Sequence, residues 1–111
     1  MPSSPLAPLA AAALLLASTA LATAQDAKAG RAKASAQCAV CHGANGLSQH
    51  PEAPNLAGQV EMYLMKSLED FRAGRRSNEM MTVVSKDLTD ADIANLAAWY
   101  ASIRITVEPA Q

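Results

Sequence analysis

Cys38-Ala39-Val40-Cys41-His42 is the stretch on which the reading of this chain turns. Two thiols three positions apart fit on one face of a helical turn, and an imidazole follows at once. This is the C-x-x-C-H pattern of covalent haem attachment. Its thiols reach the two vinyl groups of one porphyrin, and its histidine sits beneath the iron. The chain has two cysteines in all, so nothing competes for them. Other chemistries fit these residues less well. A redox dithiol of the thioredoxin type needs a strand–helix context, and no strand signal is visible. A structural zinc takes four N or S ligands. Two Cys and two His are all the chain offers, and the second histidine, His50, lies beside Pro51 in a polar stretch. A structural disulfide gives no reason for His42.

Outward from the motif, the N-terminal 24 residues carry no charged side chain. Leu9 to Leu21 is almost wholly Ala and Leu, and Ala22-Thr23-Ala24 matches a small-x-small cleavage site. Residues 1–24 therefore read as a secretory signal peptide, although their start has no Lys or Arg. The apolar run is short of the ~20 residues a membrane span needs. Leader removal leaves residues 25–111, one domain whose own core is marginal for its size. A buried haem supplies apolar surface and answers that shortage. The nine basic and ten acidic residues give a net charge of −1, which argues against a nucleic-acid binder. No internal repeat and no second C-x-x-C-H appear, so one haem per chain is expected.

The expected fold class is all-α. Asp26 to about Cys38 reads as a first helix, with Lys28, Arg31 and Lys33 on its exposed side. Gly30 weakens that helix by ~1 kcal/mol relative to Ala, a cost that close approach of another helix explains. Gly43 to Gly58 holds Gly43, Gly46, Pro51, Pro54 and Gly58 and reads as an irregular loop over one haem edge. Gln59 to Ala73 is helical, with Val60, Leu64, Leu68 and Phe71 on one face, Tyr63 flanking it and Gly74 as terminator. A short helix is allowed around Glu79 to Ser85. The last helix is the clearest. Thr89 is its N-cap, Asp92 completes a short capping box, and Leu88 and Ile93 hold the staple positions. Ile93, Leu96, Ala97, Tyr100 and Ile103 keep a helical period, and Trp99 widens the stripe.

A haem iron bound by His42 has one axial position left. Filled by protein, the site transfers electrons; open, it binds or activates a small molecule. The candidates are Met62, Met65, Met80 and Met81. The first two lie within an amphipathic helix, where Met is usually core filler. Spacing does not choose between Met80 and Met81.

Cys38 to His42, Pro54-Asn55-Leu56-Ala57-Gly58-Gln59, Tyr63-Leu64, Gly74-x-Arg76, Met81 with Leu88, and Ala97-Ala98-Trp99-Tyr100 together resemble a class I cytochrome c. The likeness is to small bacterial monohaem proteins and to one half of dihaem periplasmic cytochromes, and it covers essentially all of residues 25–111. It implies about four short helices around one haem c. In that family the ligand methionine lies seven residues before the leucine that precedes the last helix, which implies Met81. The resemblance also implies that the Pro54 carbonyl accepts the Nδ1–H of His42. It further implies that Gly30 packs against the Trp99/Tyr100 face. Tyr63 and Trp99 are candidate donors to a haem propionate, and Arg76 a candidate partner for one. For Trp99 plain packing, and for Arg76 a solvated basic turn, explain the residue at least as well.

The function so read is periplasmic one-electron transfer, with no catalytic residue. Partners implied are a quinol-oxidising complex or dehydrogenase upstream and a terminal oxidase or reductase downstream, with no nucleic acid and no membrane span after leader removal. The alternatives are an electron-transfer subunit held in an oxidoreductase complex and a haem enzyme or sensor with an open sixth site. The segment from Gly74 to Lys86 carries few core residues, so Met81 is expected to leave the iron before the chain unfolds.

Overall fold

The computed structural model describes residues 1–5 and 25–111, so the leader reading falls largely outside the described residues. Five helices run in order: α1 (Ala27–Gln37), α2 (Ala39–His42), α3 (Glu61–Arg72), α4 (Glu79–Ser85) and α5 (Asp90–Ser102). No strand occurs among the described residues. The expected first helix, Asp26 to about Cys38, is α1 with its two caps, and beyond the turn at Cys38 the rest of the motif forms its own four-residue helix.

α1 and α5 form the frame. The Asp26 carboxylate accepts the Lys28 and Ala29 N–H groups, satisfying two of the free donors at the start of α1. The Asp26 N–H in turn donates to Asn95 Oδ1 at 2.8 Å, which ties that start to α5. Gly30 is buried at the crossing. A Cβ there would lie 1.9 Å from the Asn95 carbonyl oxygen and 3.0 Å from Trp99 Cβ. The close approach expected at Gly30 is therefore present, but against Asn95 and Trp99. α5 carries the predicted capping box, with the Asp92 N–H donating to Thr89 Oγ1 and the Thr89 N–H to Asp92 Oδ2, both at 3.0 Å. Leu88 and Ile93, the staple pair, are both buried in one core cluster.

That cluster joins Ala34, Leu64, Leu88, Ile93, Leu96, Ala97 and Tyr100. α3 contributes Leu64 and, less deeply, Leu68, and buries Phe71. Val60, expected on the same face, instead caps α3 and is exposed, because the helix begins at Glu61 rather than Gln59. Gly74 ends α3 with φ +76°. Arg72 then reaches across to the Leu88 carbonyl at 2.9 Å and Asp90 at 2.7 Å, fastening the end of α3 to the start of α5. α4 hangs between these points. Asn78 caps it through the Met80 and Met81 N–H groups, and Ser85 is its one buried residue.

Candidate haem site

The motif is a hydrogen-bonded turn rather than a loose loop. The Cys38 N–H donates to Ala34 O at 2.8 Å, closing α1. His42 N–H donates to Cys38 O at 3.0 Å and Gly43 N–H to Ala39 O at 2.8 Å, closing α2. Both cysteines are free and partly buried. Burial pushes the Cys38 thiol up from its ordinary range, with the Tyr100 hydroxyl and the Lys33 charge opposing that shift.

His42 is buried at 6% exposure. Its Nδ1 lies 2.8 Å from the Pro54 carbonyl oxygen. A carbonyl can only accept, so Nδ1 carries a hydrogen, and in the neutral ring this leaves the lone pair on Nε2. Such a contact fixes both the tautomer and the ring plane of a metal-binding histidine. The loop that carries Pro54 is pinned in turn. Gly46 O accepts from Leu56 N at 2.7 Å and Ala57 N at 3.0 Å, and Asn55 Oδ1 accepts the Ser48 N–H at 2.7 Å.

Among the methionines, Met81 is partly buried on α4 and lies close to His42. Met80 points outward at 61% exposure and Met62 at 77%. Met65 packs on the core and accepts from Gln25 Nε2. Of the three auxiliary candidates, Tyr63 is exposed, and Trp99 is half-buried with the Arg31 guanidinium 5.3 Å from its ring centre. The Arg76 guanidinium lies 4.6 Å over the Phe71 ring.

Tyr100 is the residue that sequence reasoning missed at this site. It sits one position beyond Trp99, deep in the core at 4% exposure, and its hydroxyl has no hydrogen-bond partner. Cys38 packs against the cluster that contains it. Burial, reinforced by the neighbouring Cys38, holds the Tyr100 hydroxyl well above its usual titration range, so it stays protonated. Its place in the α5 stripe was legible; the thiol opposite it was not.

The donor set suits an iron porphyrin: two thiols on one turn would anchor the group covalently, and an imidazole and a thioether on a separate helix are the groups that would ligate its iron. Among the described residues, no group of three His, Cys, Asp or Glu gathers to hold an ion directly.

The model of the cytochrome c family matches residues 27–104, which takes in all five helices and each candidate residue above. Cytochrome c4 from Pseudomonas aeruginosa is 48% identical over 82 residues, covering 74% of this chain and 40% of the relative. Cytochrome c-554(548) from Halomonas halodenitrificans is 42% identical over 80 residues, covering 69% of this chain and 95% of the relative. The crystal structure of reduced recombinant cytochrome c4 from Pseudomonas stutzeri superposes with a TM-score of 0.68 at 39% identity, over 76% of this chain and 48% of that one. The chain thus spans less than half the length of the cytochrome c4 proteins it matches. The motif, the helical order around it and the family match agree: this chain belongs to the cytochrome c family, with the class I fold.

Proposed function

We propose that the chain is a periplasmic one-electron carrier with a single haem c, attached through Cys38 and Cys41 and ligated by His42 and Met81. When bound, the haem supplies a reversible ferric/ferrous couple. The protein's part is to hold the ligands still in both states. The observation that carries this reading is the buried His42 imidazole, oriented by the Pro54 carbonyl at 2.8 Å with Met81 close by. Two neutral ligands on separate, anchored elements leave little to rearrange when an electron arrives. Thioether sulfur favours ferrous iron, so the potential is raised relative to a site without Met81. Tyr63, Trp99 and Arg76 are secondary candidates for the propionate edge. Donors and acceptors are redox proteins: a quinol-oxidising complex or dehydrogenase on one side, an oxidase or reductase on the other. Export is read from the leader, and among the described residues no helix is long and apolar enough to cross a membrane.

The test is an optical spectrum of the oxidised, haem-loaded protein, wild type and Met81→Ala. A near-infrared sulfur-to-iron band in wild type, lost in Met81→Ala, is expected. A band that survives assigns the ligand elsewhere, to Met80 first. A wild-type spectrum without the band contradicts the His/Met reading and favours an open sixth site.

A further inference from the structure

We propose that Tyr100 is a positioning residue for the Cys38 attachment, its hydroxyl donating a hydrogen bond to the Cys38 sulfur once that sulfur is a thioether. The proposal rests on the haem c reading above.

The ring has nowhere else to go. A Cβ on Gly46 would lie 3.0 Å from Tyr100 Cδ1, so the Gly46 backbone closes against the ring at that atom. Gly46 cannot retreat, since its carbonyl holds the Leu56 and Ala57 N–H groups. The Tyr100 carbonyl accepts the Gly58 N–H at 2.9 Å, fixing the same loop to α5 from the other end. The hydroxyl is thus enclosed in the core with no hydrogen bond of good geometry, and Cys38 packs against the same core cluster. A buried hydroxyl left in this way is costly, and native proteins rarely keep one unmatched.

The chemistry of Cys38 resolves the mismatch. A thiol S–H is itself a donor and only a weak acceptor. During attachment the S–H adds across a haem vinyl group. A C–S bond forms at the vinyl α-carbon, the hydrogen goes to the β-carbon, and the vinyl π bond and the S–H bond are lost. The sulfur then has lone pairs and no hydrogen, so it can only accept. Tyr100, which keeps its proton, is the matching donor. Beside Cys41 the Ser48 hydroxyl is already engaged by backbone carbonyls, 2.7 Å from His50 O and 3.4 Å from Cys41 O, so the two attachments differ.

The experiment uses the ferrous, haem-loaded protein. Proton NMR of wild type should show a slowly exchanging Tyr100 hydroxyl hydrogen with a cross-peak to the Cys38 side-chain protons. Resonance Raman should show one carbon–sulfur stretching band displaced in Tyr100→Phe and the other unmoved. In a Cys38→Ala background, which retains only the Cys41 thioether, Tyr100→Phe should leave the remaining band unmoved. A change in Tm alone, with both bands unmoved and a freely exchanging hydroxyl, overturns the proposal and leaves Tyr100 a packing residue. A displaced band that persists in the Cys38→Ala background also overturns it. Absence of thioether-bound haem in the wild type overturns instead the reading on which it rests.

Discussion

α1 with α5 and α4 with α3 are built to different standards, and the two axial ligand candidates fall one on each side of that divide. Ala34, Ile93, Leu96, Ala97 and Tyr100, most of the core cluster, come from α1 and α5. Asn95 ties the start of α1, Gly30 lets the helices touch, and a two-way capping box closes α5. The Cys38–His42 turn grows directly from this frame. α4 has seven residues, one cap and one buried side chain, Ser85, whose hydroxyl is unmatched; Met80 and Val83 face outward. A helix this short gains little from its own hydrogen bonds and depends on what it packs against. The imidazole is therefore held by the fold, whereas Met81 is carried on a short and weakly anchored element.

The largest effect is expected at the frame. Gly30→Val drives a side chain into the Asn95 carbonyl and should cost about 3 kcal/mol, seen as a fall in Tm with loss of helix content. An unchanged Tm would break the comparison at its stronger side. The two N-caps sharpen it. Thr89→Ala and Asn78→Ala each remove a cap worth about 1 kcal/mol. Thr89→Ala should lower global Tm, while Asn78→Ala should leave helix content nearly intact and weaken the near-infrared sulfur-to-iron band. Equal effects of the two on both signals would mean that α4 is no more loosely held than α5.

A smaller, pH-dependent effect belongs to the frame as well. The Thr89 N–H, then the Thr89 hydroxyl and Lys33, hold the Asp92 carboxyl below its ordinary range, against some burial. Its folded pKa is thus below the unfolded value of about 4. The stabilisation is complete above that unfolded value and is lost as pH falls through the folded one. Asp92→Asn should lower Tm at neutral pH, with the difference from wild type shrinking in acid. A constant difference across that window would remove the carboxylate's role.

Much of the frame was legible in the sequence because its signals are local. Thr89, Asp92, Leu88 and Ile93 specify an α5 start within the six residues 88–93, and the structure has it there. Gly74 marks the end of α3, and Glu79–Ser85 is a helix as allowed. What was not legible depends on residues far apart in the chain. Asn95 reads as an ordinary helical residue until Asp26 is placed beside it. Tyr100 reads as one more apolar position until Cys38 and Gly46 close around it. The Arg76 guanidinium over the Phe71 ring, five residues back, is likewise a contact that no sequence pattern announced. The end of α1 at Cys38 was legible to within a residue, because the haem motif begins there. The His42–Pro54 contact entered through family resemblance; twelve residues of separation alone do not predict it.

The central claim is that the Met81 side yields before the frame does. The direct test is a denaturant titration of the ferric, haem-loaded protein, with the near-infrared sulfur-to-iron band and far-ultraviolet circular dichroism recorded on the same samples. The account predicts that the band disappears at lower denaturant, while helix content is still native. Coincident loss of the two signals would contradict it.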